Sequence, residues 1–532
     1  MYPSAPLSRR ARTLAIATAA AFTIALVPTG AAIAAPAAKC DNRTNNTVAK
    51  LLECVDADGA MEHLEALQAI ADDNGGTRAA GLPGYEASVD YVVDTLEAAG
   101  WKVSIDEFPY TFVGPSTLQQ LTPVNASYPT GPFTGSGSGT VTAAVTPIDV
   151  QLTTPNANTS GCEASDFAGF AAGNIALIQR GTCPFALKAQ NAQAAGAAAV
   201  VIFNAGDTTA DDRNNLIVGT LGVNSGVVIP VVGASFQQGV ALAQAGSTAK
   251  VTVPAAESRP QKNVIAELPG VNNDNVVMAG AHLDSVQAGP GINDNGSGSA
   301  SLLELAQQMS KLKPQNTVRL AWWGAEESGL VGSTAYVNEL SQAEKDRIAL
   351  YLNFDMVASP NYIFMVYDGN ESGFPAPVPV PAGSTEIEKL FERYYTSVDQ
   401  PYDDAEFSGR SDYQAFINNG IPAGGLFTGA EVPKTAEQQA IWGGIAGESY
   451  DQCYHQACDT IGNVNEAALD VNVDAIALAV LAYSYSTELV NGVVGKSVPG
   501  GLNLPEPAGP EGTVGSDGGL APDHGHGHDA LD

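Results

Sequence analysis

The sequence predicts an α/β protein: a mostly parallel mixed sheet flanked by helices, interrupted by a small inserted β/α domain. Three observations carry that expectation. NVVMAGAHLD (275–284), NTVRLAWWGAEE (316–327) and RIALYLNFDM (347–356) are apolar on both faces, as strands buried between helical layers must be. They alternate with stretches of helical period such as SGSASLLELAQQMSKL (297–312). From about Leu121 to Pro260 the texture changes to Thr, Pro, Gly and Val in short, turn-bounded runs.

Taken in order, the chain opens with Arg9, Arg10 and Arg12 before an apolar run and several Ala-x-Ala sites. That pattern predicts a signal peptide over 1–38, and hence a secreted, extracellular protein. No second apolar stretch reads as long and uniform enough to span a bilayer. MEHLEALQAIADD (61–73) and YEASVDYVVDTLEAAG (85–100) have helical periods, the second stopped by glycine, and WKVSIDEFPYTF (101–112) reads as a strand. These belong to the first part of the main domain, 39–122. The insert, 123–260, contains NIALIQRGTCPFALKAQNAQAAGAAAVVIFN (174–204): strand, loop, Ala-rich helix, strand. The second part of the main domain, 261–494, closes with a long helix over NEAALDVNVDAIALAVLAYSYSTELV (465–490). Residues 495–532 are rich in Gly and Pro and are expected to be disordered. Their HGHGH (524–528) suits loose binding of divalent ions rather than catalysis.

Export makes the six cysteines interpretable. Proximity favours Cys40–Cys54, Cys162–Cys183 and Cys453–Cys458 among the fifteen pairings that six cysteines allow. The net charge of -33 disfavours nucleic acid and anionic membranes as partners.

Ligands of an open α/β sheet gather where strands end at their carboxyl edge. His282 and Asp284 end one such strand, and the glycine-rich loop after it, within AGAHLDSVQAGPGINDNGSGS (279–299), carries Asp294. A second strand ends in Glu326 and Glu327, a third in Asp355. One such ending is unremarkable; three in one domain predict a metal site. Of the three histidines outside the tail, His63 sits in an early helix and reads as structural. His455 lies inside SYDQCYHQACDT, where a Cys453–Cys458 bridge would hold it in a stiff loop. His282, Asp294, Glu327, Asp355 and His455 suit two zinc ions about 3.5–4 Å apart if one carboxylate bridges. Glu326 and Glu327 are adjacent, and a turn after Glu327 would aim both at one cavity, one to bind metal and one to take a proton.

HLDSVQAGPGINDNGSGS, AWWGAEESGLVGS, NFDM, GRSDYQAF, GGLFTGA and CYHQACDT resemble the M28 co-catalytic metallopeptidases, in particular secreted double-zinc aminopeptidases. The likeness covers about 60–122 and 261–490, and it implies the zinc exopeptidase fold. The insert resembles a protease-associated (PA) domain, which in other M28 proteins borders the cleft or contacts macromolecules. Carried over residue by residue, the resemblance implies that Asp294 bridges two Zn2+ ions. His282 and Asp355 would hold one ion, Glu327 and His455 the other. It implies that Glu326 is the general base, that Asp284 orients His282, and that Tyr454 helps hold the oxyanion. Arg410 would line the substrate cavity near the free amine, with Asp355 also binding that amine. Asp470 and Asp474 match acids of a Ca2+ site.

The implied activity is hydrolysis of the N-terminal peptide bond, with a preference for large apolar residues. A carboxypeptidase of the same superfamily is the enzymatic rival, but it needs basic groups for the C-terminal carboxylate, and only Arg410 stands near the motifs. A receptor-like binding protein that had lost catalysis would be expected to lack ligands, and none is missing. A phosphatase or nuclease has no basic phosphate cleft in its favour.

Overall fold

The computed structural model describes residues 40, 42–153, 156–208, 213–222 and 224–514. The expected signal peptide and the HGHGH segment lie outside these residues.

The chain enters through helices Ala57–Asp73 and Pro83–Ala98, then runs into β1 (Lys102–Phe112). It leaves to build a separate sheet from β2 (Thr117–Thr122), β3 (Ala126–Tyr128), β4 (Gly139–Pro147), β5 (Ile175–Gln179), β6 (Ala199–Phe203), β7 (Val231–Ala234) and β8 (Thr248–Val253). The return is through β9 (Glu257–Leu268), β10 (Asn272–His282), β11 (Asn316–Trp323), β12 (Ile348–Phe354), β13 (Met365–Tyr367), β14 (Asp403–Ala405) and β15 (Ala423–Phe427). The main sheet has eight strands in the order β1-β9-β11-β10-β12-β15-β13-β14. Its centre, β11-β10-β12-β15, is parallel, while β1, β9 and β13 join antiparallel.

The insert is wider at one end and narrower at the other than the expected 123–260. β1 and β9 pair without a break from Lys102↔Glu267 to Phe112↔Glu257, so Glu257–Pro260 belongs to the main sheet. Thr117–Thr122 instead pairs with β8 in the insert's sheet. Residue texture changes at turns and prolines, whereas the exchange of sheets follows the hydrogen-bond ladder, which runs straight through Pro109↔Pro260.

Side chains alternate across the sheet. Trp322 packs with the helices Ala57–Asp73, Pro83–Ala98, Ser297–Met309 and Glu466–Tyr485, and its indole donates to the Ser299 carbonyl at 3.1 Å. Trp323 faces the other layer and donates to the Tyr351 hydroxyl at 2.8 Å. Gly280 lets these two rings close on β10, since a Cβ there would sit 2.5 Å from Tyr351 Oη and 2.6 Å from Trp323 Nε1.

The helix Glu466–Tyr485 is long and apolar enough to cross a membrane, against the expectation that no second stretch would be. It is a core helix: 78% of its most apolar window is buried. An all-round apolar surface follows from being enclosed on several sides. It ends earlier than the expected Val490, because Ser486 turns to extended geometry.

The C-terminal segment differs from the expected disordered tail. Residues 498–514 are not a free tail but a strap across the domain. Val498 is buried, and Arg393 donates to the Leu504 and Pro505 carbonyls at 2.8 Å. Gly509 N–H donates to Tyr402 Oη at 2.8 Å, and Gly512 and Thr513 N–H groups donate to the Asp403 carboxylate at 3.0 and 2.8 Å. Low hydrophobicity did not free this segment, since its backbone donors found the buried Tyr402 and Asp403 and its carbonyls found Arg393.

Candidate metal centre

The carboxyl edges of β10, β11 and β12 coincide in register, His282 opposite Trp323 and Gly280 opposite Asn353. That alignment brings the three strand endings into one cavity. His282 Nε2 lies 3.3 Å from Asp294 Oδ1 and 3.4 Å from Asp355 Oδ1. His455 Nε2 lies 3.2 Å from Asp294 Oδ2 and 3.0 Å from Glu327 Oε2. Asp294 therefore turns one oxygen toward each imidazole. Glu326 Oε2 stands 3.8 Å from His282 Nε2, on the Asp355 side.

The turn that separates the two glutamates starts before Glu326 and continues past Glu327, where Gly329 and Leu330 are also left-handed. Ala325 takes left-handed geometry at φ 57°, unfavourable for alanine by about 1–2 kcal/mol. It starts a short turn that points Glu326 and Glu327 to different parts of the cavity. Asp284 stabilises that turn: its Oδ1 accepts from Glu326 N–H at 3.1 Å and its Oδ2 from Glu327 N–H at 3.4 Å. His282 Nδ1 lies 3.0 Å from the Asp284 main-chain oxygen and 3.7 Å from its carboxylate. Asp284 thus fixes the histidine through its backbone and the glutamates through its side chain.

The electrostatics are those of a site with surplus negative charge. Burial disfavours protonated His282, yet Glu326 and Asp355, with Asp284 and Asp294, hold its pKa well above the usual imidazole range. Burial opposes charge on His455 too, and Glu327 and Asp294 outweigh it in the same direction. Burial raises the Glu326 carboxyl well above its usual range, with Asp355 and Asp412 adding to the effect against His282. Asp294 Oδ2, Glu327 Oε1 and Asp355 Oδ1 are buried acceptors without hydrogen-bond donors. Orphaned carboxylate oxygens facing two imidazoles are the donor set that zinc takes. Ligand atoms of His282, Asp294 and Glu327, and of His282, Glu326 and Asp355, lie within 4.8 Å of one another. The residues present fit a metal ion such as zinc, with Asp294 facing both imidazoles.

Residues 263–480 match peptidase family M28, and residues 141–242 match the PA domain. An aminopeptidase of Pseudomonas aeruginosa (strain UCBPP-PA14) is 49% identical over 450 residues, 83% of each chain. This chain belongs to peptidase family M28. Leucine aminopeptidase 2 of Trichophyton rubrum is 44% identical over 62% of this chain and 66% of its own length. A zinc aminopeptidase from Bacillus subtilis has a similar structure, with TM-score 0.60 and 25% identity over 80% of this chain and 94% of that one.

Other residues of this M28 peptidase that brace the site were not singled out in the sequence. Arg78 is fully buried and donates to the Leu283, Pro290 and Gly291 carbonyls, pinning both ends of the loop that leads to Asp294. The Asp459 carboxylate accepts from Asn293 and Asp294 N–H at 2.9 and 3.0 Å. Ser411 Oγ donates to Asp355 Oδ2 at 2.6 Å and accepts from Asn353 at 2.8 Å. Each had a signal in the sequence: Arg78 is a lone cation in the polar turn NGGTRAAG, and Ser411 and Asp459 lie inside GRSDYQAF and CYHQACDT.

Tyr454 stacks on His455, ring centroids 3.8 Å apart. Burial raises its phenol pKa well above the usual range, so it remains a proton donor. Arg410 reaches the centre only through this tyrosine. It donates to Tyr454 Oη at 3.0 Å and pairs with Glu431 at 2.8 Å. Asp470 and Asp474 lie elsewhere, on helix Glu466–Tyr485, where Asp470 accepts from Ala57 N–H at 3.2 Å. His63 is structural: it is buried against the Tyr91 hydroxyl at 2.7 Å, and burial lowers its pKa to about 4.

All three disulfides pair as expected. Cys453–Cys458 closes a separation of 5 residues around His455, which has left-handed φ at 55°. A loop that short contributes little chain-entropy stabilisation, but it restrains an unfavourable backbone that aims a ligand. The Cys453→Ser, Cys458→Ser double variant should therefore bind zinc about 10–100-fold more weakly with only a small fall in melting temperature. Unchanged zinc affinity with a large melting loss would make the bridge a global staple instead.

Proposed function

We propose that this M28 peptidase is an exported aminopeptidase holding two zinc ions and cleaving the N-terminal peptide bond of peptides and proteins. The observation that carries this reading is the placement of Asp294, one oxygen toward each histidine, beside the buried Glu326 carboxylate 3.8 Å from His282 Nε2. His282 and Asp355 would hold one ion, His455 and Glu327 the other, with Asp294 shared. The metals, when bound, acidify a shared water and polarise the scissile carbonyl.

Glu326 takes the proton of the attacking water and returns one to the departing amine. Tyr454 donates its hydroxyl proton toward the carbonyl oxygen as that oxygen gains charge. Arg410 supports it by donating to the same hydroxyl's oxygen, which leaves the phenolic proton free to point at substrate. We therefore assign Arg410 to positioning Tyr454 rather than to the substrate's amine, which a guanidinium would repel. Glu326 and Asp355 supply the negative end of the cavity that suits an α-ammonium group.

A preference for leucine-like or aromatic N-terminal residues is supported by the leucine aminopeptidase relative, with segments 427–432 and 441–456 beside His455 as pocket walls. The PA domain offers a second contact for macromolecular substrates. Calcium at Asp470 and Asp474 is part of the same reading, with Asp56 as a third acid close enough to influence Asp474. Three disulfides support export to an oxidising compartment.

The deciding experiment compares one leucyl peptide in free, N-acetylated and C-amidated forms. Acetylation removes a charged hydrogen bond worth about 1.5–3 kcal/mol and adds bulk at the closed end. Initial rates should therefore fall by at least about 10-fold on acetylation and little on amidation. The reverse pattern would make this a carboxypeptidase. Indifference to both would make it an endopeptidase.

A further inference from the structure

Away from the zinc ligands, one more group among the described residues has metal-binding geometry. One carboxylate oxygen each of Glu388, Glu392 and Asp404 lies within 4.8 Å of the others. Glu388 and Glu392 are one turn apart on helix Ser384–Ser397, hence on one face, and Asp404 comes from β14. Two acids at that spacing normally face water, because like charges there repel. Here all three are buried, with 1%, 7% and 6% of their surfaces exposed.

Their surroundings supply few compensating charges. No Lys or Arg among the described ion pairs meets any of the three; the adjacent Lys389 pairs with Glu386 instead. Asp404 Oδ1 is buried with no hydrogen-bond donor. Asn370 donates to both oxygens of Glu388 at 2.7 Å. A fourth acid closes the group: Asp368, whose oxygens accept from the N–H groups of Ser372, Gly373 and Phe374 at 2.8–2.9 Å. A Cβ built on Gly373 would sit 2.9 Å from Asp404 Oδ2 and 3.4 Å from Asp368 Oδ2, so glycine leaves both acids room to approach the same space. Buried carboxylates in such number need a cation or protons.

We propose that Glu388, Glu392 and Asp404, with Asp368 at the edge, form a calcium site separate from the zinc pair and from Asp470 and Asp474. The donors are all oxygen, with no histidine or cysteine, which favours a hard cation over zinc. Calcium accepts irregular carboxylate cages, whereas magnesium retains several waters that a buried group has little room for. The ion would fasten helix Ser384–Ser397 to β14 directly beneath the C-terminal strap, which the neighbouring Asp403 and Tyr402 hold.

Protons compete for the same oxygens. Burial raises Glu388 to about 8, with Glu392, Asp368 and Asp404 adding to it. Burial raises Asp404 to about 7, with Asp368, Asp403 and Glu392 adding. Glu392 is raised as well by burial, against the Tyr402 hydroxyl and Lys389. Between the ordinary carboxyl range and these values, the folded state keeps protons that the unfolded chain releases. Without a cation, stability therefore falls as pH rises through that window. Calcium reverses the loss, so its benefit is largest on the alkaline side.

The test uses the zinc-loaded full chain carrying Asp470→Asn and Asp474→Asn, which removes the other acidic pair. Calcium should raise its melting temperature by about 5 °C at about pH 9 and by little at about pH 5.5. Adding Glu388→Gln and Glu392→Gln should abolish that shift and one equivalent of bound calcium, while leaving peptidase activity in place. Terbium, sensitised by the nearby Tyr402, should emit from the parent and not from this variant, and calcium should quench the emission. A parent with no calcium-dependent shift at alkaline pH and no terbium emission would show a cluster held by protons alone and overturn the proposal. Equal calcium stoichiometry in parent and variant would overturn it as well.

Discussion

Replacing Glu326 with glutamine is expected to lower kcat by about 10²–10⁴-fold while zinc content stays unchanged. The amide is nearly the size of the acid, and the turn that presents it is held by its backbone N–H on Asp284, which the substitution leaves intact. Glutamine cannot take the proton of a water at neutral pH, so the loss falls on the chemical step. Because the same carboxylate also faces the substrate's α-ammonium group, KM should rise as well, by a smaller factor than kcat falls. Elemental analysis beside steady-state kinetics checks this. Near-normal turnover with full zinc would remove Glu326 from the proton-transfer role, and a missing zinc equivalent would make it a ligand.

Chelation should remove nearly two equivalents of zinc and lower activity by about 10³-fold or more, since Lewis-acid assistance supplies several kcal/mol of barrier lowering. Returning zinc should restore it, and cobalt or manganese in part, because the donor set is imidazole and carboxylate without sulfur. Asp294→Asn should disturb both ions together, since its two oxygens face different histidines. His455→Ala should weaken one ion more than the other. Full activity with less than one equivalent of metal would defeat the two-ion reading.

Four of the five candidate ligands, His282, Asp294, Glu327 and Asp355, stand out in the sequence because each lies at, or just beyond, a strongly patterned strand. Strands buried on both faces announce themselves by composition, and whatever polar group ends such a strand stands out. His455 stood out for a different reason: it sits between two cysteines five positions apart, which form a disulfide. Glu326 was legible as one of two adjacent acids, but its direction was not. The left-handed Ala325 that turns it is invisible in a string of letters, because alanine has no preference for that geometry.

What the sequence determined alone was therefore what local pattern and covalent chemistry can carry: the α/β class, the histidine and acids at the strand ends and the three cysteine couples. Tertiary structure decided the rest. Arg78 became a brace because the fold brought its guanidinium to carbonyls more than 200 positions further along the chain. Glu388 and Glu392, which lie outside every motif singled out in the sequence, became a buried acid cluster because β14 and the loop 368–374 closed over them. The strap 498–514 was read as disordered because its composition is polar and Pro/Gly-rich, yet its backbone groups meet Arg393, Tyr402 and Asp403. Helix and strand periods arise from contacts a few residues apart and so leave a repeating trace in the sequence. A carboxylate or a backbone amide is costly or harmless only according to its buried partner, and that partner is chosen by the fold at long range.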